Sequence, residues 1–173
     1  QSSVLSRNRQ SSRVARALPP EGRGHYLGDS TLTYSYRLAM DHRQPVWLQT
    51  EALSLLSVLG YPAVVDIIER RLTGVMEGDD FFVRQHAVQV LYEHADDPRL
   101  ESLLETAQRD PSPTVRQALI DLLIKLRPVS IDQHLPVLAL EDSAREVRGY
   151  SVHALIRLVE HDVAFVDFSR ELV

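Results

Sequence analysis

The sequence predicts an all-helical fold, a row of repeated helical hairpins preceded by an irregular arm. Three observations predict it. Val83-Arg84, Val115-Arg116 and Val147-Arg148 recur 32 residues apart in both intervals. Behind each pair runs an apolar stripe at offsets of 4, 5 and 8 from the valine, a spacing that falls on one helix face. A second apolar stripe then follows, opened by a turn marked with Pro, Ser or Asp. Self-similarity with a fixed period in the range of about 20–50 residues is the mark of stacked repeats.

The arm comes first. Residues 1–40 open with a Ser/Arg-rich stretch, then Pro19-Pro20 and Gly22, Gly24 and Gly28, a loop or linker pattern. Thr31 to Tyr36 alternates as a short strand does, and a helical turn over Tyr36 to Met40 fits equally well. The arm carries Arg7, Arg9, Arg13, Arg16, Arg23 and Arg37 against Glu21 and Asp29, a net of +4. The other 133 residues hold 13 basic and 22 acidic side chains, a net of −9, so the overall charge of −5 averages two opposed segments.

The repeat region, residues 41–173, divides into four hairpins at about 45–72, 80–108, 112–140 and 143–172. First-helix stripes are Leu48, Ala52, Leu53 and Leu56; Val83, Ala87, Val88 and Leu91; Val115, Leu119, Ile120 and Leu123; and Val147, Ser151, Val152 and Leu155. Trp47 is placed in the core by the same reading. Second-helix stripes include Val64, Val65 and Ile68; Leu100, Leu103 and Leu104; Leu135, Leu138 and Leu140; and Phe165 and Val166. Ser130 with Gln133 and Ser143 with Glu146 match the capping box, and Ser112 before Pro113 is a third expected cap. A single hairpin cannot bury both of its stripes, so about three or more must stack, and four meet that condition. The apolar end at Phe165, Phe168 and Val173 points to further chain or to a partner surface. The start, without an initiator Met, looks trimmed or processed.

The run Asp-x-x-x-x-Val-Arg stands at Asp110 to Arg116 and again at Asp142 to Arg148, with a shorter version at Asp79 to Arg84. This resembles the bacterial HEAT-like repeat of the phycobilisome-lyase type. The resemblance covers about residues 45–173 and is weakest in the first copy, where Leu48-Gln49 replaces Val-Arg. It implies a right-handed α-solenoid that binds proteins or peptides. Scaffolds, chromophore-lyase subunits and a group of DNA glycosylases share such repeats, so the fold alone does not decide the activity.

Arg84, Arg116 and Arg148 recur with the fold period. The structural reading is a ladder in which each guanidinium reaches an Asp or a carbonyl of an adjacent turn, with Asp110 and Asp142 as candidate partners. The functional reading is a row of anion-binding arginines.

Chemistry is sparse. The chain has no cysteine, which excludes disulfides, thiolate metal sites and a cysteine nucleophile. None of the seven histidines pairs with another at i, i+4, so no catalytic metal is expected. No phosphate-binding glycine loop and no nucleophile elbow is present. No cofactor and no catalytic residue is expected, and no apolar run approaches the roughly 18 residues that span a bilayer. A −9 body repels phosphate, so strong nucleic-acid binding is not expected.

The expected function is a non-catalytic protein–protein interaction scaffold, an accessory subunit or adaptor of a larger complex. Its concave face is expected to carry Asp66, Glu69, Glu101, Ser102, Glu105 and Gln108 and to take a basic or amphipathic segment. The arm, through Arg7, Arg9, Arg13, Arg16 and Tyr26, is a second contact with a partner or an anionic membrane surface, or it folds back as a cap on the first repeat, with Tyr36, Leu38 and Met40 covering Trp47 and Leu48; both hold if residues 25–40 cap and 1–24 reach out. The alternative is an enzyme or enzyme subunit, lyase-like or glycosylase-like. The compartment is left open between the cytoplasm and, if an export signal has been removed, the periplasm.

Overall fold

A computed structural model describes residues 29–74 and 80–161, with backbone alone for residues 29–30 and 159–161. Among the described residues there are eight α-helices and no strand. They are α1 (Asp29–Met40), α2 (Val46–Val58), α3 (Val64–Leu72), α4 (Phe81–Val90), α5 (Leu100–Gln108), α6 (Pro113–Leu126), α7 (Ile131–Glu141) and α8 (Arg145–His161). A 3-10 turn over Leu91–His94 continues α4. The chain divides into two compact units, one up to Val83 and one from Arg84.

In the first unit the strand alternative for the arm needs correction, and the helical turn over Tyr36 to Met40 lies inside a longer helix. Residues 29–40 form α1, neither a strand nor an irregular segment. Ser35 and Ala39, four residues apart, bury one face of it, and both are small enough for α1 to lie close on α2. A fully buried Arg71 on α3 donates from Nη2 to the Ala39 carbonyl, at the end of α1 where carbonyls lack helical partners. The Tyr36 ring packs on that of Tyr61 with centroids 5.9 Å apart. The arm residues before Asp29 lie outside the described residues.

Helix α2 buries Gln49, Ala52, Leu53, Leu56 and Ser57. Trp47 does not join them: it is 66% exposed. It stands six residues before Leu53, about a third of a turn off the buried stripe. Helix α2 ends in a Schellman motif. Gly60 adopts φ +67°, its N–H donates to the Ser57 carbonyl at 3.0 Å, and the Tyr61 N–H donates to the Leu56 carbonyl at 2.9 Å.

In the second unit α5, α6, α7 and α8 enclose a core that includes Leu104, Leu119, Leu123, Leu135 and Val147. Two stripe assignments fail. Leu140 is exposed, because an offset of five from Leu135 turns it well away from the buried Leu138. Val152 is exposed as well, although its repeat equivalents Val88 and Ile120 are fully buried.

The expected serine caps are also replaced. Neither Ser112 nor Ser130 makes a side-chain cap bond. Ser130 Oγ donates to Glu101 instead, at 2.6 Å. At two of the corners an aspartate bonds a backbone N–H two residues on. Asp110 Oδ1 accepts the Ser112 N–H and Asp142 Oδ1 accepts the Ala144 N–H, each at 2.8 Å. Asp41, Asp80 and Asp97 make the same Asx-type turn at three other corners.

Those two aspartates also hold arginines. Arg84 grips Asp110 through Nε to Oδ2 (2.7 Å) and Nη2 to Oδ1 (3.1 Å). Arg116 grips Asp142 in the same way, at 2.6 and 2.8 Å. The Nη1 of Arg116 donates to the Asp110 carbonyl at 2.6 Å, and the Nη1 of Arg148 donates to the Asp142 carbonyl at 2.7 Å. Arg116 and Arg148 therefore each tie the corner six residues before them, and Arg84 and Arg116 each reach a carboxylate 26 residues ahead.

Candidate protein-binding surface

The candidate residues fall on both units. Asp66, in the first turn of α3, and Glu69, at its middle, belong to the first. Asp66 is exposed, and its carboxylate suits the positive end of the helix dipole. The remaining four stand on α5 in the second unit. Glu101, Glu105 and Gln108 follow one another at helical spacing, so they share a face, and Ser102 flanks it. Ser102 Oγ donates to the Arg99 carbonyl at 2.8 Å, and Glu105 lies 3.5 Å from Arg109 in an exposed pair.

Helix α7 lies beside α5 and adds a histidine that sequence reasoning weighs only as a metal ligand. His134 is buried, its Nδ1 2.6 Å from Gln108 Oε1 and its Nε2 3.5 Å from Glu101 Oε2. With the proton on Nδ1, the ring donates to the Gln108 amide oxygen and turns Nε2 toward the carboxylate. Glu101 is thus held by the Ser130 hydroxyl, with the His134 ring beside it. The signal that could have found this contact is the spacing: Gln108 and His134 are 26 residues apart, as are Arg84 and Asp110.

Outward from this network α7 exposes Asp132, Gln133, Val137, Leu140 and Glu141. An open cleft of about 630 Å³ lies where α5 and α7 end, lined by Asp110, Glu141 and Asp142, by Arg109 and Arg116, and by Val137 among others. Acidic groups and aliphatic side chains therefore stand side by side on one surface. The Asp142 carboxyl sits on the cleft wall. Burial pushes its pKa up, but the bonds from Arg116 and the Ala144 N–H and the charges of Arg116 and Arg148 outweigh this, and it is held below the usual carboxylate value.

A smaller cleft of about 190 Å³ lies between α6 and α8, where the Tyr150 hydroxyl donates to Asp121 Oδ1 at 2.6 Å. Arg7, Arg9, Arg13, Arg16 and Tyr26 lie outside the described residues. Among the described residues no set of three or more His, Asp or Glu is grouped to hold a metal, and no helix is long and apolar enough to cross a membrane.

No protein-family model, no curated protein and no solved structure matches this chain. What the surface can do is set by its own residues. It offers the exposed carboxylates of Glu101, Glu105 and Glu141, with Arg109 paired to Glu105, hydrogen-bond acceptors at Gln108 and Glu101 met by His134 and Ser130, and two exposed aliphatic side chains.

Proposed function

We propose that the protein is a protein–protein interaction scaffold, an adaptor or accessory subunit whose acidic α5–α7 surface takes a basic amphipathic segment of another protein. The observation that carries this reading is the row of Glu101, Glu105 and Gln108 along α5 next to α7, which exposes Val137, Leu140 and Glu141, with an open cleft at the ends of the two helices lined by Gln108, Val137 and Glu141. The carboxylates would steer a basic segment and set its orientation, and the aliphatic pair would supply anchors. The 32-residue repeat and the 26-residue rungs support stacked HEAT-like hairpins in a right-handed solenoid as the frame. The arm, residues 1–40, would add a second contact.

The test is titration of a labelled basic amphipathic helical peptide into the full chain, read by fluorescence anisotropy. Binding should weaken as salt rises, because exposed charges are screened. Replacing Glu101, Glu105 and Glu141 together by Gln should weaken it about tenfold or more while leaving the melting temperature nearly unchanged. Equal binding by the wild type and the triple variant would remove this surface as the site.

A further inference from the structure

We propose that the open face of α8, formed by Arg148, Val152 and Ile156, docks a partner helix that begins with an aspartate cap and carries aliphatic residues behind it. This surface is separate from the acidic α5–α7 face and does not depend on it.

The protein contains its own template for the contact. Arg84 with Val88, Arg116 with Ile120 and Arg148 with Val152 are equivalent positions of three copies. In the first two copies the arginine holds, on its Nε–Nη2 edge, the aspartate that caps the corner of the following hairpin. The residue four positions on is covered completely, at 0% exposure for both Val88 and Ile120. Helix α6 receives α8 in this manner: α8 packs along it, and Asp142 sits on Arg116.

In the third copy the same face is open. Val152 is 38% exposed and Ile156, one turn further, is 50% exposed. Arg148 still uses Nη1 on the carbonyls of Asp142 and Ser143, as Arg116 uses its own on Asp110. Among the described residues nothing is bonded to its Nε–Nη2 edge, the edge that grips a carboxylate twice elsewhere. Tyr150 points the other way, to Asp121 on α6, so α8 is seated on its inner side and open on its outer one.

The chemistry of the occupant follows from the two filled copies. A guanidinium fork fits a carboxylate bidentately, and its half-buried position beside aliphatic side chains favours charge neutralisation. In both templates the carboxylate belongs to an aspartate that also accepts a backbone N–H two residues on. The partner is thus an acid-capped helix with an aliphatic stripe, and a nucleic acid or a bare anion would leave Val152 and Ile156 uncovered.

A labelled peptide with the sequence of residues 142–158 is a direct probe, because it carries such a cap and stripe. Anisotropy titration with the full chain should show saturable binding. Asp142→Asn in the peptide keeps a capping side chain but removes the charge, and it should weaken binding about tenfold or more. Arg148→Gln in the protein should weaken it equally, and the two changes together should cost no more than either alone. Ile156→Glu, at an already exposed position, should abolish binding with the melting temperature preserved. Glu101→Gln should have no effect, which separates this surface from the acidic one. The proposal is overturned if the wild type does not bind the peptide, or if Arg148→Gln and wild type bind alike. Self-association of the chain that Arg148→Gln abolishes, without peptide binding, would assign the face to a second copy and overturn it too.

Discussion

At the scale of single residues, the Arg116–Asp142 pair has the most at stake. Their side chains are 7% and 4% exposed, so both charges are nearly out of water and each depends on the other. Truncating one partner leaves an uncompensated buried charge, which costs about 3–5 kcal/mol. Arg116→Ala should therefore lower the unfolding free energy by about that amount in urea titration. Asp142→Asn should be milder, since Asn still accepts the Ala144 N–H. It should also show a pH signature. The Asp142 pKa is depressed in the folded protein, so the aspartate stabilises above its unfolded value of about 4, and that contribution is lost as pH falls through the folded value. The stability gap between wild type and Asp142→Asn should thus narrow on acidification below pH 4 and stay constant near neutrality. A gap that is the same at pH 3 and pH 7 would contradict the ion-pair account.

At the scale of elements, corners decide more than stripes. Gly60 closes α2 in the left-handed region, and a Cβ there would meet nothing within 4 Å. Gly60→Ala should therefore cost about 1 kcal/mol from backbone conformation alone, measured as a shift in the urea midpoint at unchanged m. The helical periods were legible in the sequence because an apolar stripe at 3.6-residue spacing is a strong local signal, as in α6, where Val115, Leu119 and Ile120 are all buried. The caps were less so. Ser112 and Ser130 stand where hydroxyls often cap, yet an upstream aspartate already locks the corner at Ser112, and Ser130 turns to Glu101. Helix α1 was hidden for another reason. Its Thr and Tyr alternation mimics a strand, and only packing on α2 and the Arg71 bond to Ala39 select the helix.

At the scale of the whole molecule, the charge split has a consequence for binding. The recurrent arginines and the two aspartates were readable as residues of interest from the 32-residue period, but which bonds which was not. That register is a long-range property, set by how one hairpin seats on the next. Exposure was equally hard to read: Val152 matches Ile120 in sequence and differs from it only because a hairpin covers one and none of the described residues covers the other. The basic residues 1–24 and the acidic remainder should respond oppositely to polyanions. Any retention of duplex DNA or anionic vesicles by the full chain should be weak, should fall as salt rises, and should vanish when residues 1–24 are deleted. Retention that survives the deletion would place a phosphate-binding surface on the helical region and revive a glycosylase-like reading. Binding of the basic peptide should be unchanged or stronger after the same deletion.

Asp110 and Asp142 each hold an amide of their own corner and a guanidinium from the preceding hairpin with the same two oxygens. The amide protons of Ser112 and Ala144 are therefore reporters of whether neighbouring hairpins are engaged. In deuterated solvent they should exchange together with the opening of the rung rather than with local fraying of the helix that follows, and Arg84→Gln should speed Ser112 while leaving Ala144 slow.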